Sequence, residues 1–95
     1  MNEEIKGIGD YLPKPEYGFD AISVSQIINK DILINGFEFF PTKWGEGVYI
    51  LCTIGGESVK AYTHSQVLVK QAHFVAEHLP LRARVKKEGR YYTFE

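Results

Sequence analysis

Cysteine is nearly absent from this chain of 95 residues: Cys52 is the only one, so no disulfide can form within it. The folded state must rely on burial and hydrogen bonds, and a reducing cytosol suits such a chain. No apolar run approaches the roughly 20 residues of a membrane helix, and the first twenty residues lack the basic and then apolar pattern of a secretory signal. We therefore expect a soluble, cytoplasmic protein without membrane association.

The chain also lacks the length for two domains and the motifs of an enzyme. Protein cores divide only beyond roughly 250 residues. Apolar residues make up 44% of the chain and charged residues 24%, which excludes a wholly disordered or fibrous protein. The lone Cys and the scattered histidines have no metal-ligand spacing, and Ser65 beside His64 lacks a third partner. We expect no catalysis, no metal and no cofactor.

Net charge is close to zero, at −1, but its distribution is uneven. Residues 1–57 carry four basic and nine acidic side chains, whereas residues 58–95 carry seven basic and three acidic ones. Such an imbalance is typical of a nucleic-acid surface or an interaction tail, although it also arises by chance in small proteins. The positions of the charges on the fold must decide between these interpretations.

Residues 1–21 are predicted to form a loosely structured acidic arm, because glycines and prolines interrupt them and no apolar period is present. Tyr11, Leu12, Tyr17 and Phe19 leave open that this arm docks onto the body. A single folded domain is expected over residues 22–95. The negative charge of the arm leads to two hypotheses. The arm competes with an anionic ligand for the basic residues after residue 58, or it recruits a partner protein.

Three consecutive strands are predicted after Asp31. Residues 32–40 are β-branched and aromatic, with one interrupting glycine, Gly36, that indicates a bulge or bend. The three phenylalanines of this segment, Phe37, Phe39 and Phe40, are expected mostly in the core. Residues 41–47 are predicted to form a loop, residues 48–54 alternate as a half-buried strand, and Gly55–Gly56 predicts a hairpin turn into residues 58–63.

A helix and two further strands complete the pattern. Thr63 and Gln66 have the spacing of a capping box, in which the two side chains satisfy free N–H groups at a helix start. Apolar residues then recur at three- and four-residue spacing, and Pro80 ends the helix. Residues 81–86 and 90–94 alternate as strands.

The order β-β-β-α-β-β is that of the OB-fold, a five-stranded Greek-key barrel whose helix lies between the third and fourth strands. We therefore predict an all-β domain with one helix, folded as an OB-fold barrel and preceded by the N-terminal arm. A closed barrel suits a chain this short, because it leaves no long unpaired strand edge.

Two segments carry a family resemblance: Trp-Gly-Glu-Gly-Val-Tyr at residues 44–49, and Leu-Pro-Leu-Arg-Ala-Arg-Val-Lys-Lys-Glu-Gly-Arg-Tyr-Tyr-Thr-Phe at residues 79–94. With them, residues 31–95 resemble small OB-fold proteins of the single-stranded-DNA-binding kind from phages, archaeal viruses and mobile elements. The resemblance is one of layout. It implies a viral or mobile-element protein that binds single-stranded DNA.

The outer face of the second and third OB strands is the usual ligand surface. Tyrosines on such a face stack on bases, and interleaved cations neutralise phosphates. The first loop and the last hairpin supply further aromatic and basic residues. The candidate nucleic-acid-binding residues are Lys43, Trp44, Tyr49, Lys60, Tyr62, Arg82, Arg84, Lys86 and Arg90.

Other interpretations of the same residues stay open. Tyr49 and Tyr62 can equally pack against the arm, and alternating Arg and Lys on a strand often forms a solvated face that protects an edge. The alternative function is a protein–protein adaptor that binds a peptide or oligomerises through its aromatic face, a homodimer included. RNA is an alternative ligand that the residues do not distinguish from DNA.

Overall fold

The computed structural model describes residues 21–95, so nearly all of the predicted arm lies outside the described residues. The described part is mostly β-structure with one α-helix, which confirms the predicted class. Short 3-10 turns lie at Val24–Gln26 and Ala76–His78. The other elements, in chain order, are β1 (Ile22–Ser23), β2 (Ile32–Thr42), β3 (Gly45–Ile54), β4 (Glu57–Thr63), α1 (Gln66–Val75), β5 (Leu81–Ala83), β6 (Val85–Glu88) and β7 (Tyr91–Phe94).

The antiparallel pair β2–β3 is the centre of the fold. Its register shifts between Ile34 and Gly36, so the irregularity lies where the sequence predicts it. A bulge of this kind bends a strand and reverses which alternate residues face the core. Ile32 and Ile34 are buried before the bulge, and the beginning of β2 also pairs with β5.

The connection predicted over residues 41–47 is present but shorter, because β2 and β3 remain paired as far as Thr42 and Gly45. Only Lys43 and Trp44 form the turn. The Thr42 hydroxyl closes it by accepting the Trp44 N–H and donating to the Gly45 carbonyl. Gly45 has φ of +124°, a conformation that side chains other than glycine's rarely adopt.

Five strands form one sheet in the order β1–β4–β3–β2–β5, and β6–β7 form a separate two-stranded sheet. The expectation of a five-stranded closed barrel is therefore wrong. Residues 21–95 form seven strands in two sheets, and the sheets do not close into a barrel. Arg84 separates β5 from β6, and it exchanges two backbone hydrogen bonds with Glu95 at the end of β7. Helix α1 packs against β7. Oε1 of Gln71 accepts the Phe94 N–H at 2.9 Å, on the side of β7 away from β6, so this N–H is not available to a further strand.

Helix α1 begins later than its predicted capping box. Its N-cap residue is Ser65, without a side-chain cap hydrogen bond. The Thr63 hydroxyl accepts the Ser65 N–H, and Gln66 donates to the carbonyls of Glu46 and His64. The capping box is thus wrong because Thr63 still belongs to β4. The helix ends at Val75, and a 3-10 turn leads toward Pro80.

The core lies between the inner face of the sheet and α1. Alternation on β3 directs Val48, Ile50 and Cys52 inward, where they are fully buried. Leu68, Val69 and Ala72 of α1 cover them. The complete buried cluster is Val24, Ile27, Ile32, Ile34, Val48, Ile50, Cys52, Ala61, Leu68, Val69, Ala72 and Val85.

Candidate nucleic-acid interface

The outer face of β3 and β4 carries three of the predicted site residues. Because Val48, Ile50 and Cys52 face the core, the residues between them face outward. Tyr49 of β3 lies directly opposite Tyr62 of β4, and the neighbouring cross-strand pair is Leu51 and Lys60. The structure thus brings Tyr49, Lys60 and Tyr62 together on one face.

Lys60 lies over the ring of Tyr49. Its Nζ is 4.5 Å from the ring centroid, a cation–π contact, and 3.8 Å from Oε1 of Glu38 on β2. The Lys60 side chain is 16% exposed and that of Glu38 58%, and 3.8 Å is long for an ion pair, so the carboxylate holds the ammonium group weakly. A largely buried cation thus lies against a half-buried π-face at this surface.

Phe40 extends the aromatic surface, although the sequence predicts it mostly as core. Consecutive strand residues face opposite sides, so Phe39 is directed inward and Phe40 outward. The Phe40 and Tyr49 ring centroids are 4.6 Å apart. A Cβ at Gly47 would lie 2.5 Å from Cζ of Phe40, so the ring rests on this glycine. We call Phe40, Tyr49 and Tyr62 the aromatic platform.

The β2–β3 turn places two predicted residues, Lys43 and Trp44, beside α1. The Trp44 side chain is 74% exposed, and Nζ of Lys43 lies 5.3 Å from its ring centroid. The ring of His64, just after β4, is 6.2 Å away. His64 has no predicted role, because nothing in the neighbouring sequence indicates that it meets Trp44.

Contacts with α1 hold this turn in place from the inner side of the sheet. Gln66 donates to the Glu46 carbonyl at 2.9 Å, and Nε2 of His73 lies 2.6 Å from Oε1 of Glu46. The His73 ring also stacks on Phe39, with centroids 3.8 Å apart. These contacts with α1 therefore fix the position of the turn on which the exposed Trp44 lies.

Arg90 lies at the edge of the platform, on the turn between β6 and β7. It lines an open groove together with Tyr62, His64 and Tyr91. Tyr91 is half exposed. We call these four residues the Arg90 groove. Because Tyr62 belongs to both surfaces, the groove is continuous with the aromatic platform.

The remaining basic residues lie elsewhere. Nε of Arg84 is 2.7 Å from Oδ1 of Asp31, and this hydrogen bond lowers the pKa of Asp31 and raises that of Arg84. Arg82 and Arg84 line a second open groove with Thr53. Thr53 is four residues from Tyr49 along β3, about 13 Å at the usual rise of a strand.

Lys86 belongs to neither groove. Its Nζ is 3.1 Å from Oε2 of Glu88 and 3.8 Å from Oε1 of Glu95. The hydrogen bond with Glu88 is the main cause of its raised pKa. Three of the predicted cations, Lys60, Arg84 and Lys86, are thus already paired with carboxylates, in contrast to Arg90 at the platform edge, which has no ion pair within residues 21–95.

Cys52 is a free cysteine buried in the core. Burial raises the pKa of Cys52 to about 11, so its thiol is protonated at neutral pH and is not a nucleophile. Within residues 21–95, no group of three or more His, Cys, Asp or Glu side chains could hold a metal ion. None of the helices in this range is long and apolar enough to cross a membrane.

Fold and surface together define a small β-rich domain with an aromatic and basic outer face. Residues 19–95 match the family described as "Domain of unknown function (DUF8468)", and the chain belongs to this family. No curated protein matches the chain, and no solved structure does. The family description names no activity, so a function must be argued from the geometry.

Proposed function

We propose that this protein binds single-stranded DNA on the aromatic platform and the Arg90 groove, without catalysis. The observation that carries the proposal is the Tyr49–Tyr62 cross-strand pair with Lys60 above Tyr49. Each base of a single strand has a π-face free to stack, and its phosphates attract cations. In duplex DNA the base faces are already stacked on one another, so they are not available to aromatic side chains.

We further propose that the domain is an OB-fold that is not fully closed. Its order of elements supports this, with β5 and β6 as two halves of the fourth OB strand, interrupted at Arg84. β2 pairs with both β3 and β5, so this strand joins the second and the fourth strand positions of the OB order. OB-folds bind oligonucleotides on strands 2 and 3 and on the loops that here carry Trp44 and Arg90.

The likeness to small OB-fold proteins of phages, archaeal viruses and mobile elements supports the same proposal. The lone, buried Cys52 is in keeping with a reducing compartment, so we include a cytoplasmic location in the proposal.

The alternative function is that of an adaptor that binds a peptide on the platform. It differs in one measurable respect, because a peptide of neutral charge would bind with little dependence on salt.

Binding of labelled oligo(dT) of about 15 nucleotides, within the length that one OB-fold covers, tests the proposal directly. The Tyr62→Ala variant should weaken affinity about 5- to 150-fold, since a stacked base contributes roughly 1 to 3 kcal/mol. Fluorescence anisotropy of the oligonucleotide measures this loss. Quenching of Trp44, the only tryptophan, reports independently whether the strand reaches the β2–β3 turn.

Matched variants separate stacking and charge from general damage. Tyr62→Phe retains the ring and should bind like the unaltered protein. Lys60→Gln should weaken binding and reduce its salt dependence, whereas Lys70→Gln, the same change on exposed α1, should do neither. Absence of binding at low salt, or equal affinities of Tyr62→Ala and Tyr62→Phe, would contradict the proposal.

A further inference from the structure

Phe74 is the most exposed large apolar residue in the described part of the chain. Its side chain is 82% exposed on α1, away from the aromatic platform, which is on the other face of the sheet. A single exposed apolar residue is ordinary in itself. Phe74, however, borders an open apolar groove, and beside it the groove is lined by Ile34, Val75, Leu81, Ala83 and Phe94.

The rim of this groove carries charges of both signs. Arg82 lines the groove and has no carboxylate of residues 21–95 within ion-pair distance, although it is near enough to Asp31 to help lower the pKa of that side chain. Glu95 lies on the same rim, and its nearest cation is Lys86 at a long 3.8 Å. A protruding ring, an apolar groove and two opposite charges thus occupy one face of one molecule.

This combination is self-complementary under two-fold symmetry. In an isologous dimer the same patch is used twice, so residue i of one copy meets residue j of the other and the reverse. Phe74 of each copy can enter the groove of the other, and Arg82 of each copy can face Glu95 of the other. A surface for a different protein need not combine a protruding ring with a groove, or a cation with an anion, within one patch.

We propose that this face, bordered by Phe74, Arg82 and Glu95, is the interface of a homodimer whose second copy fills the groove. The two aromatic platforms would then lie on the outer sides of the dimer, free to bind. A single strand long enough to reach both would be held bivalently and more tightly than by either platform alone. The dimer itself does not rest on the proposed DNA binding.

Sedimentation equilibrium of the full chain over the micromolar range tests the dimer without DNA. The unaltered protein should be a dimer, and Phe74→Asp should raise the dissociation constant about 100-fold, because a charge cannot enter an apolar groove without loss of hydration. Circular dichroism should be unchanged, since Phe74 is exposed. Trp44→Ala, which removes a similarly exposed aromatic residue from another face, should leave the dimer intact.

Charge reversal tests the pairing across the interface. Arg82→Glu and Glu95→Arg should each weaken the dimer about tenfold, whereas the double variant, which restores opposite signs, should recover most of the affinity. A monomer at every concentration, or a dimer that survives Phe74→Asp, would overturn the proposal. A dimer that binds no DNA would remove the proposed function and leave this interface standing.

Discussion

Glu38 is the side chain that most directly opposes an anionic ligand on the platform. Its carboxylate lies 3.8 Å from Nζ of Lys60 and is largely exposed, so it competes with a phosphate for the same ammonium group. Removing the charge leaves the cation–π contact of Lys60 with Tyr49 in place. Removal of the Glu38 charge therefore tests whether this carboxylate competes with DNA for Lys60 or only supports the structure of the platform.

We predict that Glu38→Gln strengthens binding of single-stranded DNA about two- to fivefold at low salt, because a phosphate then has no competing carboxylate 3.8 Å from the ammonium group. Titration of the labelled oligonucleotide measures it. Glu57→Gln removes the same charge from the far end of β4 and should change affinity much less. Equal gains in the two variants would show that only net charge matters, and a loss in Glu38→Gln would contradict competition.

At the scale of elements, Gln71 joins the helix to the last strand. Its Nε2 donates to Oγ1 of Thr93 at 2.8 Å, and its Oε1 accepts the Phe94 N–H at 2.9 Å. One side chain thus satisfies a backbone N–H on the free edge of β7. An amide in this position takes the place of a neighbouring strand, and α1 thereby supports the hairpin that carries Arg90.

Gln71→Leu should lower the free energy of unfolding by about 1 to 3 kcal/mol, because the Phe94 N–H, which is partly buried, loses its acceptor. Urea denaturation measures the loss, and hydrogen exchange at the Phe94 amide should accelerate. Gln66→Leu is the matched control. Its two acceptors are exposed and water can replace the amide, so its loss should be smaller. The reverse order of the two losses would contradict this account.

For the molecule as a whole, the uneven distribution of charge makes a prediction about residues 1–20. Five acidic and two basic residues lie in this segment, outside the described residues. If its charge competes with DNA for the basic surface, deleting residues 1–20 should strengthen binding several-fold at low salt. The gain should vanish near 1 M salt, where charges are screened within roughly 3 Å.

A neutral version of the segment distinguishes charge from other effects of the deletion. Replacing the five acidic residues by their amides in the full chain should reproduce the gain in affinity. Unchanged affinity after both alterations would remove the competition hypothesis. A gain on deletion alone would assign the effect to something other than charge.

The sequence by itself determined the features that depend on near neighbours. Alternation over residues 48–54 assigns Tyr49 to the outer face, because successive strand residues point to opposite sides. Gly36 marks the bulge, and Gly55–Gly56 marks the hairpin turn, where both glycines have positive φ. Each of these follows from a preference that acts within a few residues.

Only the tertiary structure decided which distant residues meet. The Arg84–Asp31 contact joins residues 53 positions apart, and the meeting of Trp44 with His64 depends on how the β2–β3 turn reaches the start of α1. The break at Arg84 and the packing of α1 against β7 accompany two sheets that do not close into a barrel. Local periodicity carries no information on these contacts, because the bend of the sheet and the docking of the helix set them.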